Sequence, residues 1–237
     1  MAHTKLLAVV EQNNATGRVS YWQGCDNQSL ADRNGISLAD YIHAMYGFIR
    51  QAKARHVLLI GCGGGTLATM LQRARVRVTM VDNDPTSFAI ARTYFALPDS
   101  VDCRAADGIW FLRRRTTRYD AIVLDAYCGG LIPKPFLRPG FFALARARLK
   151  RGGILLANIT ARDDADRLPD RIARTMQSAF GDTVKLHDAD GYLDRNVVAV
   201  AGATRDLKPP RLMMKPARRA KSIARSLREL DFRPLRG

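Results

Sequence analysis

The sequence predicts an α/β protein built on a doubly wound, mostly parallel sheet of seven strands, preceded by a small β-rich lid. Three observations predict it. From residue 56 onward, short apolar runs rich in Val, Ile and Leu alternate with segments of helical periodicity, the pattern left by strands covered on both faces. The first run ends in a glycine-rich turn and the second ends in an acid. The composition is that of a single globular unit: 237 residues, 47% hydrophobic and 25% charged, enough to bury a core without a disulfide or metal staple.

Taken in order, residues 1–48 are punctuated by turn-formers (YWQGCDNQSLADRNG). They read as a β-rich lid, followed by an entrance helix running from about Leu38 into Ile49. The opening MAHTKLLAVV holds one Lys and an apolar stretch too short for a signal peptide, and no run approaches the roughly 18 residues of a membrane span. Residues 49–204 carry the sheet, with strands predicted at 56–61, 76–82, 101–105, 120–125, 153–159, 183–188 and 196–202. Between them, Asp84 followed by Pro85 predicts a helix N-cap with proline at the first helical position. Leu168, Ile172, Met176 and Phe180 recur every four residues and predict one buried stripe. Gly152-Gly153, after Lys150-Arg151, reads as a helix stop leading into the fifth strand. Residues 205–237 read as a basic C-terminal tail with an amphipathic helix over about 217–230, placing Ala220, Ile223, Ala224, Leu227 and Leu230 on one side.

The net charge is +16, and residues 205–237 hold eleven Lys and Arg against three acids. Such a tail is either simply solvated or drawn to anions such as nucleic acid or an acidic surface. The four cysteines (Cys25, Cys62, Cys103, Cys128) show neither a CxxC pair nor metal-ligand spacing. Reduced thiols, a cytoplasmic location and no metal are therefore expected.

The chemistry is signalled first by HVLLIGCGGGTLATML, where Gly61, Gly63 and Gly65 form a turn from strand to helix. Glycines let a backbone approach a ligand closely, and helix N-terminal amides face whatever binds. Asp82 closes the next strand at the spacing of a ribose-binding acid. That spacing suits a dinucleotide as well as an adenosyl ligand, but Thr66 stands where the last glycine of the dinucleotide form belongs, which shifts the weight to an adenosyl donor. Asp107-Gly108 follows the third strand and reads either as an adenine contact or as a helix cap. Asp125 ends the fourth strand, where ligands bind in open α/β sheets.

With these segments in hand, the chain from about Gln23 to Gly202 resembles the spermidine synthase (polyamine aminopropyltransferase) family, built on the Rossmann-like class I methyltransferase fold. QGCDNQS and DYIHAMYGF are similar to its glutamine segment and entrance helix, VLLIGCGGGTL to its glycine loop, VTMVDNDP to its ribose acid, AADGIWFL to its adenine contact and YDAIVLDAY to its catalytic strand. The resemblance implies that Gln28, Gly61, Gly63, Gly65, Asp82, Asn83, Asp107 and Gly108 hold S-adenosylmethionine or its decarboxylated form as donor. It implies that Asp125 is the general base. Tyr41, His43, Tyr127 and Cys128 are the candidates to meet a small-molecule amine or other nucleophilic acceptor, with His43 reading equally as a packed helix histidine, Tyr127 as a core residue and Cys128 as a small neutral lining residue. A homodimer is also implied, since relatives of this type are often dimeric. The chain departs from the family at three acids: the second acid of the catalytic motif is Cys128, the entrance Glu is Ala44, and the glycine loop lacks its Asp. Aminopropyl transfer is the expected reaction. Methyl transfer on the same scaffold, favoured by those losses, and a non-catalytic nucleoside- or nucleic-acid-binding scaffold are the alternatives.

Overall fold

A computed structural model describes residues 8–236. The first part of the N-terminal apolar stretch lies outside them, and its remainder opens β1 (Ala8–Asn13). This strand pairs antiparallel with β2 (Arg18–Gln23), which pairs with β3 (Asp26–Ala31), forming a separate three-stranded lid sheet. The entrance helix α1 spans Asp40–Gln51.

The main sheet is laid down by β4 (His56–Ile60), β5 (Arg77–Asp82), β6 (Asp102–Ala105), β7 (Tyr119–Leu124), β8 (Leu149–Ala161), β9 (Lys185–Asp188), β10 (Arg195–Gly202) and β11 (Asp231–Arg233). Their spatial order is β11-β9-β10-β8-β7-β4-β5-β6. The five strands from β8 to β6 run parallel, while β10, β9 and β11 add antiparallel. The connecting helices are α2 (Thr66–Arg73), α3 (Pro85–Tyr94), α4 (Gly108–Arg114), α5 (Pro139–Ala147), α6 (Leu168–Phe180) and α7 (Ala220–Glu229). Successive residues of β4 serve opposite layers, as the period of two requires. Val57 and Leu59 pack with Met45, Leu71 and Ile223 on one face, and Leu58 and Ile60 with Leu112, Phe142 and Met176 on the other. No helix among the described residues is long and apolar enough to cross a membrane.

Three expectations are corrected. The sheet has eight strands, because β11 joins the edge of the seven predicted. Gly152-Gly153 does not stop a helix: α5 already ends at Ala147, and the pair lies inside β8, beside the register shift between Tyr119 and Ala121. There Gly152 has φ +78° and a Cβ on Gly153 would stand 3.0 Å from the Asp120 carbonyl, so the pair marks a bulge where two backbones meet. Nor does the basic segment hang free. Ile223 and Leu227 are each 2% exposed in the core, and Phe232 stacks on Phe48 at 5.6 Å between ring centroids.

Candidate active site

The parallel strands end along one edge, and backbone bonds knit that edge together. Gly61 N donates to Val81 O at 2.9 Å and Asp125 N donates to Ile60 O at 2.9 Å. Gly61 has φ +100°, and a Cβ there would lie 2.1 Å from the Asp125 carbonyl oxygen. Gly61→Ala is therefore expected to displace the end of β7 with its Asp125, measurable as lost ligand binding together with a lowered melting temperature. Gly65, at φ +66°, is the N-cap of α2. The lid closes on this turn, since Ser29 Oγ accepts from Gly64 N at 2.7 Å.

Asp82 steadies the same turn. Its Oδ2 accepts from Cys62 N at 2.7 Å and its Oδ1 from Asp84 N at 2.9 Å. Burial raises its carboxyl above the usual value, against the pull of those amides. Asp84 caps α3 through Thr86 N at 2.9 Å, with Pro85 next, as predicted. Asp107 caps α4, accepting from Trp110 N at 2.7 Å.

Asp125 follows β7 directly, beside Asn158 of β8, whose Nδ2 donates to Asp125 Oδ1 at 2.9 Å. Asn158 is 2% exposed, and its backbone carbonyl accepts from Tyr127 Oη at 2.9 Å. Burial pushes the Asp125 carboxyl up to about 6, with the Asn158 bond drawing it partly back. Burial and the neighbouring Asp125 also raise the Tyr41 and Tyr127 phenols, so both rings stay neutral.

Two cavities meet at Asp125. One, of about 480 Å³, is lined by Asp82, Asn83, Asp107, Gly108 and Cys128. The other, of about 450 Å³, is lined by Tyr41, Gly65, Asp26, Asp40, Asn158 and Arg219. Gln28, Gly61, Gly63, Asp125 and Tyr127 line both. Of the residues expected to meet an acceptor, Cys128 is exposed and faces the Asp82 cavity rather than the one holding Tyr41. His43 lines neither: it is 1% exposed, with Nε2 2.8 Å from Ser37 O, because its turn of α1 faces the core.

Asn158, Asp26, Asp40 and Arg219 also line the site. Asn158 had a signal, being the one polar side chain in the apolar run GILLANI. The others had none of their own; the fold brings them together. Their charge is the site's main feature. Asp26, Asp40, Asp82, Asp84, Asp107 and Asp125 line the two cavities against the single cation Arg219 among the described residues, in a chain of net charge +16. The site is therefore locally negative on a basic protein.

Residues 44–194 match the family model of the methyltransferase small domain. A curated protein of Bifidobacterium longum (strain NCC 2705), named probable polyamine aminopropyl transferase, is 29% identical over 161 residues, covering 67% of this chain and 36% of the relative. The chain thus spans about a third of that relative's length. A probable spermidine synthase from Corynebacterium glutamicum ATCC 13032 superimposes with a TM-score of 0.78 at 18% identity, covering 99% of this chain and 90% of that one. Human methyltransferase-like protein 13 in complex with SAH does so at 0.55 and 20% identity, covering 84% of this chain and 91% of that one. At these identities the two structures share the fold.

Proposed function

Because the chain belongs to the methyltransferase small domain family, we propose that it transfers an aminopropyl or related alkyl group from an S-adenosyl sulfonium donor to an amine acceptor, with Asp125 as general base. One observation carries the reading. Asp125 is a carboxylate held up to about 6, standing where two acid-lined cavities join. Both reactants are cations, and the local carboxylates offset the repulsion that the basic surface exerts on their approach.

In this reading the cavity with Asp82 takes the nucleoside. Each Asp82 oxygen holds one backbone amide and keeps a lone pair for a ribose hydroxyl. Gln28, Asn83, Asp107 and Gly108 line the remainder, while Gly61 and Gly63 admit close approach of the ligand. The donor, when bound, supplies a carbon whose bond to sulfur breaks with the electron pair leaving as a neutral thioether. The acceptor amine lies in the other cavity, against Tyr41 and Tyr127, where Asp26 and Asp40 hold its charge. They stand in for the acids missing at Cys128, Ala44 and the glycine loop.

An alkylammonium of pKa about 10.4 needs about 4.6 kcal/mol to be neutral at pH 7. Asp125, largely ionised at that pH, takes the proton as the nitrogen lone pair forms the new N–C bond, a contribution of about 10²–10⁴ in rate. Asn158 keeps the carboxylate aimed.

Methyl transfer is the second reading. A specific observation favours it: the glycine loop brings no acid to the site, and Cys128 faces away from the cavity holding Tyr41. The protein is to be incubated with S-adenosylmethionine or its decarboxylated form and a panel of amines. Methylthioadenosine from the decarboxylated donor, formed in step with a lengthened amine, is the expected result. S-adenosylhomocysteine as the only nucleoside product establishes methyl transfer instead, and neither product sinks both readings.

A further inference from the structure

Arg219 is the one cation lining either cavity among the described residues, in a site otherwise furnished with six carboxylates. It is the N-cap of α7 at φ +60°, a left-handed conformation that residues with a Cβ rarely adopt. Its surroundings hold it there. Just upstream, Ala217 N donates to Asp32 Oδ2 at 2.7 Å, and Asp32 is 3% exposed. One turn downstream, Ile223 is 2% exposed in the core.

Although Asp26, Asp40 and Asp125 line the same cavity, the Arg219 guanidinium makes no ion pair or hydrogen bond among the described residues. Ile223 and Ser226 continue its face of α7 into the cavity. A guanidinium offers a planar fork of donors that matches a carboxylate in two bonds. Six carboxylates answer the positive charges of a sulfonium and an amine. One unpartnered fork on a pinned backbone answers an anionic group attached to the same ligands.

We infer that Arg219 receives a carboxylate carried by one of the two reactants. The substrate is then zwitterionic: either the donor keeps its α-carboxylate, or the acceptor is an amino acid rather than a plain diamine. The inference rests on the proposed function and narrows it.

The test is calorimetric binding to the wild type and to two variants. Arg219→Ala removes the fork, and Arg219→Gly removes it while relaxing the left-handed turn, so at least one variant keeps the fold. The donor probes are S-adenosylmethionine and decarboxylated S-adenosylmethionine. The acceptor probes, added with saturating methylthioadenosine, are 4-aminobutanoate and 1,4-diaminobutane. In one pair, the wild type is expected to bind the carboxylated member about tenfold or more tightly than its partner. Both variants are expected to erase that preference by weakening the carboxylated member about tenfold or more, with no loss of affinity for the other member. Which pair responds tells whether donor or acceptor carries the carboxylate. A wild type indifferent within both pairs, or a preference that survives in the variants, overturns the inference while leaving the proposed function standing. Failure to bind any adenosyl probe overturns both.

Discussion

Replacing Asp125 by asparagine is expected to lower turnover by about a hundredfold or more and, at the same time, to stabilise the protein at neutral pH. The two effects share a cause. Burial pushes the carboxyl up to about 6 from its ordinary 3.8, so the folded chain takes up a proton between about pH 4 and 6 that the unfolded chain does not. Stability falls as pH rises through that window, and above it the ionised group is a net cost. About two pH units correspond to about 3 kcal/mol, and solvent in the cavities screens that to about 1–2 kcal/mol. Asparagine keeps the shape and loses the charge. At about 2–4 °C per kcal/mol for a chain of this length, melting should rise by several degrees at pH 7.5 and hardly at all near pH 4. Wild-type turnover should show an acid limb near pH 6 that the variant lacks. Turnover unchanged in the variant rules out Asp125 as the base, and a melting gain that does not depend on pH rules out the buried charge.

Arg233→Met is expected to cost about 3–5 kcal/mol of folding stability, the range for breaking a buried ion pair by removing one partner. Arg233 is 12% exposed at its side chain and binds two carboxylates that are 0% exposed. It reaches Asp170 through Nη1 at 2.8 Å and Nη2 at 3.0 Å, and Asp188 through Nε at 2.7 Å. Burial works against both charges, yet the guanidinium partners prevail. Arg233 and Arg236 hold Asp170, and Arg195 and Arg233 hold Asp188, below the usual carboxylate range. The stabilisation is therefore complete above the unfolded value of 3.8 and disappears as pH falls through the lower folded values. Urea unfolding at pH 7 measures the cost, and a loss under about 1 kcal/mol would show that water reaches the network. Because β11 follows α7 directly, the same variant should also weaken whatever ligand contact Arg219 makes.

That network shows where reading the chain alone stops. Strands covered on both faces leave continuous apolar runs, so β4, β5, β7, β8 and β10 were legible from residue order, as were the α3 cap at Asp84-Pro85 and the α6 stripe. β6 and β9 carry no such run and were legible only from the strand–helix alternation around them. The glycine turn and Asp82 were legible for the same reason, since the turn and the strand end lie a short, regular spacing apart. β11 was not legible. Asp-Phe-Arg carries no run of its own and becomes a strand because Arg233 finds two buried acids 45 and 63 residues away. His43 reads from the sequence as either a substrate contact or a packed helix histidine, and packing decides for the core. The Asp125–Asn158 pair depends on the β7–β8 register, and the convergence of Asp26, Asp40 and Arg219 depends on how lid, entrance helix and C-terminal helix surround one cavity. Periodicity is set by chain neighbours and is written in residue order. Desolvation, charge pairing and the lining of a cavity are set by which distant segments come to lie side by side, and only the folded chain decides that.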